Sequence, residues 1–326
     1  MKLQQLRYIT AMTRHHLNVS ETADALFTSQ PGVSKQIRLL EEELGLEIFT
    51  RQGKHITAVT PEGERVIALA QDILGKVAQI QAISHEHRNP HTGDLRIGTT
   101  HTQARYVLPP VVKAFGDSYP RVSLHIHQGT PNQLADMLNT GEVDLVIATE
   151  EIETFTQCVT LPCYRWDRSV IVPRDHPLHK LARLDGISLE ALAKYPIVTY
   201  VFAFTGHAPL DKVFQQKGLQ ANVVLTAVDT DVIKTYVRLG VGVGIIAEMA
   251  HDPHVDKDLV TLDADTFLPS STTYICLKPK RPLRAYTYAF IARFSATLQR
   301  EFVDQVLAAN EAERQALLQT ITPPRY

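Results

Sequence analysis

The chain has 326 residues, enough for two or three domains that each bury a core. Its 44% hydrophobic and 21% charged content exclude a disordered or fibrous protein, and a formal net charge of -2 confines any nucleic-acid contact to local placement. No apolar run is long enough to cross a bilayer, Met1-Lys2-Leu3-Gln4-Gln5 is no signal sequence, and Cys158, Cys163 and Cys276 lack metal spacing. Together these predict a cytoplasmic protein with reduced thiols.

Leu3, Leu6, Ile9, Thr10 and Thr13 predict a first helix over 3–14, and Asn18 or Ser20 can cap a second around Ala23 and Leu26. After a turn at Phe27-Thr28-Ser29, Ser29 as N-cap, Pro31 near the start and Gly45 at the end predict a third helix. Its stripe Val33, Ile37, Leu40 and Leu44 is apolar, whereas Gln30, Ser34, Lys35 and Arg38 form a polar, cationic face. Alone, that pattern describes an ordinary amphipathic helix. With a short helix and a tight turn before it, it describes a helix-turn-helix whose second helix enters a DNA major groove. Glu47–Thr50 and His55–Thr57 predict a small hairpin with Arg51-Gln52-Gly53-Lys54 at its tip, a wing suited to phosphates.

Thr60-Pro61-Glu62-Gly63 opens a long helix in which Val66, Ala70, Ile73, Val77 and Ile80 follow a heptad seam. The alternatives are dimerisation and packing on the chain's own domain; polar flanks favour the first. Residues 85–93, with Asn89-Pro90, predict a joint. Beyond it strands and helices alternate, as in a parallel sheet. Strands are expected at 95–98, 121–128, 144–148, 169–172, 197–200 and 223–227, then after Gly240–Gly244 and at 272–277. Helices are expected at 103–116, 132–139, 230–239 and 286–300. Two α/β lobes with crossings near 162–168 and 265–270 accommodate this order.

Thr99-Thr100-His101-Thr102-Gln103 follows one strand and precedes a helix, where open α/β sheets bind ligands. Its hydroxyls and amide, with no acid in the run, suit an anion. His125 and His127 share a strand face but read as packed rather than metal-binding, and no metal is expected. Gly240-Val241-Gly242-Val243-Gly244 lies after a helix and before a strand, the reverse of a dinucleotide loop. Trp166 reads as packing near a crossing, with ligand contact the weaker reading. No nucleophile elbow, phosphate loop or paired acid–base set is present, so no enzyme is expected.

Ser29-Gln30-Pro31-Gly32-Val33-Ser34-Lys35-Gln36-Ile37-Arg38 resembles the signature of LysR-type transcriptional regulators. Met1–Tyr8, Thr99–Tyr106 and Asp231–Gly240 resemble the branch of that family governing cysteine-regulon and sulfonate-utilisation genes, and the similarity covers about residues 1–300. The resemblance implies an N-terminal winged helix-turn-helix (1–60), a dimerising linker helix and hinge (61–92), and a two-lobed periplasmic-binding-protein-like α/β effector domain (93–326). Lobe I is expected at about 93–164 and 268–300, lobe II at about 165–267.

It implies base-edge contacts from Gln30, Pro31, Ser34 and Lys35, and phosphate or minor-groove contacts from Thr28, Ser29, Arg38, Arg51 and Lys54. It further implies that Thr100, Thr102, Gln103, Thr149 and Thr205 line an effector cleft for sulfate or an acetylserine. His207 stands where the resemblance expects Arg, and Val201 where it expects a polar residue. The expected partners are double-stranded promoter DNA, a small effector, further copies of the chain as a dimer or tetramer, and RNA polymerase, with no cofactor and no membrane. A sulfonate-responsive regulator differs only in effector and target genes; a solute-binding protein shares the two-lobed fold but not the N-terminal module.

Overall fold

The computed structural model describes residues 1–53, 55–88, 91–149, 152–206, 208–279 and 281–326, in two compact units, Met1–Asn89 and Pro90–Tyr326. In the first, helices α1 (Leu3–Arg14), α2 (Val19–Ala25) and α3 (Gln30–Leu44) are followed by a hairpin, β1 (Phe49–Gln52) and β2 (His55–Val59), and a long helix α4 (Pro61–Arg88). Leu6, Ile9 and Met12 of α1 pack on Val33, Ile37 and Leu40 of α3, with Ile48 and Phe49 completing the core. Asn18 caps α2 by accepting from the Ser20 and Glu21 amides, at 3.0 and 3.2 Å. Ser29 caps α3 through the Gly32 amide at 3.3 Å, and Gly45 ends it at φ 66°, the left-handed turn a glycine adopts without strain.

Three expectations shift here. Leu3 and Leu44 are exposed, so the buried stripes of α1 and α3 are shorter than their periodicity. The hairpin begins at Phe49 rather than Glu47 and places Arg51 and Gln52 in β1, opposite Ile56 and His55. The cause is that Ile48 and Phe49 are wholly buried and anchor the strand to the core. Within α4, Ile67 and Ala70 are buried and Val66 and Leu74 pack beside them in the same core, so the first half of the heptad seam serves this unit. Ile73 and Ile80 remain exposed. Helix α4 can start so close to the hairpin because residue 63 is glycine: a Cβ there would lie 2.2 Å from the Ile48 carbonyl oxygen.

The second unit runs through β3 (Thr92–Thr99), a π-helical turn (Gln103–Val107), α5 (Leu108–Ser118), β4 (Arg121–Gln128), α6 (Pro131–Thr140), β5 (Leu145–Ala148) and β6 (Val159–Trp166). It continues with β7 (Arg168–Pro173), α7 (Pro177–Asp185), α8 (Leu189–Leu192), β8 (Ile197–Tyr200), α9 (Pro209–Gln216), β9 (Val223–Ala227), α10 (Thr230–Arg238), β10 (Val243–Ala247) and β11 (Leu259–Leu262). Strand β12 (Ser271–Leu277) and helices α11 (Ala285–Phe294), α12 (Arg300–Ala308) and α13 (Glu311–Gln319) close it. The strands form two five-stranded sheets, ordered β4-β3-β5-β12-β6 and β11-β7-β10-β8-β9.

Each sheet has a parallel trio, β4-β3-β5 or β9-β8-β10, joined by helices, as the strand–helix alternation predicts. Neither sheet is wholly parallel. β12 runs antiparallel to β5 and β6, and β7 antiparallel to β10 and β11, because the chain passes between the lobes partway through and returns. β6 continues to Trp166, so the first crossing is at Asp167, within the expected 162–168, and the second is the connection 263–270 between β11 and β12. The expected helix over 286–300 ends at Phe294, and Arg300 opens a separate one.

Candidate functional site

Helix α3 presents Ser29, Gln30, Pro31, Ser34, Lys35 and Arg38 exposed, with Thr28 half-buried beside them. Val33, Ile37 and Leu40 bury the opposite side, which fixes this face outward. Arg51 is placed differently from the free cation that the sequence suggests. Its Nη2 lies 2.6 Å from Oε2 of Glu41, and Oε1 of the same carboxylate accepts from the amides of Ile48 and Phe49 at 2.9 and 3.2 Å. Glu41 is therefore buried and joins the end of α3 to the start of the wing, a role its place in the run Glu41-Glu42-Glu43 hides. Lys54 lies outside the described residues.

In the second unit, Thr99 pairs with Ile147 across the parallel β3 and β5, so Thr100 and Thr149 emerge from neighbouring strands at one sheet edge. Both are buried, as is Gln103. The Ala104 amide bonds to the Thr100 carbonyl at 3.1 Å, so the N–H groups of His101, Thr102 and Gln103 precede the first intrahelical bond. The turn they open is π-helical over Gln103–Val107, a departure from α-helix often found at functional sites. Gln103 accepts at Oε1 from the Tyr164 hydroxyl, which leaves its side-chain NH2 as the donor end of the amide. Thr205 is exposed on the other lobe, in the loop after β8. That loop is held by the Gly206 amide donating to Asp211 at 2.8 Å; His207 is outside the described residues.

What the structure brings to this edge from lobe II goes beyond the sequence reading. Thr102 Oγ1 lies 3.2 Å from Oγ1 of Thr230, which lies 2.8 Å from the Tyr200 hydroxyl. The Ala247 amide donates to that hydroxyl at 3.2 Å, so one chain of hydroxyls connects the lobes. Around it are two carboxylates that the acid-free run 99–103 did not foretell. Asp229 Oδ2 lies 3.0 Å from His101 Nε2, and Asp231 receives the Tyr106 hydroxyl at 2.5 Å and the Arg105 guanidinium at 3.2 Å. Asp229-Thr230-Asp231 reads in sequence only as a helix cap, and Asp229 does cap α10 by accepting from the Asp231 amide at 2.7 Å.

Burial, followed by the bond to Asp231, pushes the Tyr106 hydroxyl up to about 12. Burial alone would raise the Asp231 carboxyl, but Tyr106, Lys234 and Arg105 outweigh it and hold the group below its usual range. Lys234, itself buried, reaches Asp256 at 2.8 Å and the Ala250 carbonyl at 2.9 Å behind this contact, and Arg238 reaches Asp256 at 2.7 Å.

His125 and His127 each have one acid nearby, Asp94 at 3.4 Å and Glu142 at 3.7 Å. Among the described residues, His101, Asp229 and Asp231 are the group close enough to share a cation, yet Asp231 is already engaged by Arg105, Lys234 and Tyr106. Burial pushes the thiols of Cys158, Cys163 and Cys276 up, away from reactivity. Gly242 and Gly244 serve packing, since a Cβ would meet Pro196 O at 2.5 Å or Ile171 Cγ2 at 2.4 Å. Trp166 is buried under the Arg168 guanidinium, 5.0 Å from its ring, with its indole N–H unpaired.

Residues 3–64 match the family described as bacterial regulatory helix-turn-helix protein, lysR family, and residues 88–299 match the LysR substrate binding domain. The HTH-type transcriptional regulator CysB of Haemophilus influenzae is 52% identical over 305 residues, covering 94% of this chain and 93% of its own. The HTH-type transcriptional regulator SsuR of Burkholderia cenocepacia is 43% identical over 318 residues, covering 98% and 99%. Among solved structures, the cofactor-binding domain of the Cbl transcriptional regulator superposes with a TM-score of 0.62 at 41% identity, over 67% of this chain and 95% of that domain.

Proposed function

Because this chain belongs to the LysR family of transcriptional regulators, we propose that it controls genes of sulfur acquisition, and that an oxyanion effector acts between its two α/β lobes. Helix α3 reads promoter DNA: Gln30 and Lys35 suit adenine and guanine edges, Pro31 a thymine methyl, and Ser29 and Arg38 the phosphates. The observation that carries the effector reading is the placement of Thr100, Thr102, Gln103 and Thr149 at one sheet edge beside unpaired helix N–H groups. Such a donor set suits sulfate, which has no proton to give at neutral pH, or the carboxylate of an acetylserine. Thr102 already reaches Thr230 of the other lobe, so a ligand on Thr102 changes the lobe contact and hence the lobe equilibrium.

The effector domain then alters the spacing of DNA-reading modules in a cytoplasmic dimer or tetramer, with RNA polymerase as the downstream partner. In support, relatives named CysB and SsuR match over nearly the whole chain, and among the described residues no helix is long and apolar enough to cross a membrane. Footprinting on a promoter of sulfur-assimilation genes tests the reading. The protected region should change with sulfate or an acetylserine and stay fixed with chloride; an identical footprint under all three ligands defeats the effector proposal. A response to sulfonates alone would favour the sulfonate-utilisation branch instead.

A further inference from the structure

The segment after α13 returns across the effector domain to the place where the lobes are joined. Pro324 O accepts from the Arg165 amide at 2.8 Å and the Tyr326 amide donates to Arg165 O at 2.8 Å, a parallel bridge along β6. β6 is an outer strand of its sheet, so the segment covers an open edge. Its side chains go further than edge cover requires. Arg325 Nε lies 2.6 Å from Asp167, and Nη2 of the same guanidinium lies 2.5 Å from Asp265. Asp167 is the residue between β6 and β7, and Asp265 lies in the connection between β11 and β12. One guanidinium therefore ties together both covalent crossings between the lobes.

Tyr326 packs against Tyr164 in a tilted ring pair, with centroids 5.1 Å apart and planes at 40°, and Tyr164 is the residue whose hydroxyl donates to Gln103. The chain of contacts thus runs from residues 325–326 to the crossings on one side and to the effector edge on the other. We propose that Arg325 and Tyr326 are positioning residues of the cleft: they clamp the two crossings and hold Tyr164 on Gln103, which biases the lobes toward the arrangement in which Thr102 meets Thr230. Arg325 is largely exposed, and exposed ion pairs contribute little to folding stability. Its effect therefore falls on the balance between lobe arrangements, where a small bias suffices. The proposal rests on the inter-lobe cleft as the effector site, and its test needs no effector.

Hydrogen exchange on the whole chain of 326 residues without ligand reads the lobe contact directly at residues 101–107 and 229–234; Arg325 bonds to none of these, and Tyr326 reaches them through its hydroxyl on the Tyr106 carbonyl at 3.5 Å. Arg325→Ala should speed exchange there severalfold while the thermal midpoint stays that of the parent. Arg325→Lys, which restores the charge but reaches one carboxylate at a time, should recover part of the protection, and Asp265→Asn should reproduce the loss from the other end. Parent-like exchange at 101–107 and 229–234, with faster exchange only at 165–168, would overturn the proposal and leave an edge cover. A uniform rise across 91–326 with a lowered midpoint would overturn it too, since it marks a clasp needed for folding. A parallel sulfate titration of the parent chain separates the two ideas: no binding counts against the effector reading and leaves the exchange result standing.

Discussion

Glu41 surrenders most of its solvent contact to hold the wing, joining the last turns of α3 to the first strand of the hairpin. Its carboxylate accepts from two backbone amides and one guanidinium. Glu41→Gln removes the charge and should lower the opening free energy of amides 48–52 in hydrogen exchange by about 1.5–3 kcal/mol. The face itself divides by chemistry. Lys35→Ala should relax preference at one base pair, costing on the order of 1–3 kcal/mol on the operator, whereas Arg38→Ala should weaken operator and scrambled DNA alike and shallow the salt slope by about one. Equal losses for the two variants on both DNAs would contradict that division. At this scale the sequence was legible where a residue's role follows from local pattern, as for the caps Asn18, Ser29 and Gly45. It was silent on Glu41–Arg51 and Tyr164–Gln103, pairs that only folding brings together.

Among the elements, α3 and the parallel trios were readable because period and punctuation agree along one short stretch. β6 and β11 were not anticipated. β6 carries Pro162 and lacks clean alternation, and it becomes a strand because β12 pairs with it in antiparallel register from Ser271 to Leu277. Helix α4 shows the opposite failure. Its heptad seam was visible, but Ala70 and, beside it, Ile67 are spent on the core of the first unit, leaving Ile73 and Ile80 exposed. If that remaining stripe joins two copies, Ile73→Glu with Ile80→Glu should shift sedimentation toward smaller assemblies while hydrogen exchange in 3–59 is unchanged. Unaltered sedimentation would assign dimerisation to other surfaces.

For the molecule as a whole, the consequential arrangement is the charged cluster of lobe II behind the lobe contact. Lys234 and Asp256 are both buried, and removing one partner of such a pair by Lys234→Ala should destabilise the effector domain by about 3–5 kcal/mol in urea unfolding. Burial works against the charged Asp256 carboxylate, but Lys234, the Asp252 amide and Arg238 outweigh it and hold the group below its usual 3.8; Asp231 is lowered in the same sense. A carboxylate depressed in the fold stabilises it above the unfolded value and loses that contribution as the pH falls through the folded one. The contribution of these two carboxylates should therefore be constant near neutrality and fall below about pH 4, with Asp256→Asn showing a shallower acid slope from a lower plateau.

The lobes meet through Thr102 and Thr230, and the claim that a donor-lined edge there captures an oxyanion is the one on which the regulatory account depends. Calorimetric titration of sulfate into the parent and into Thr102→Ala tests it most directly. The parent should bind and the variant should lose about tenfold or more in affinity, with ligand-free DNA binding unchanged. Sulfate binding of equal strength to both proteins would contradict the account.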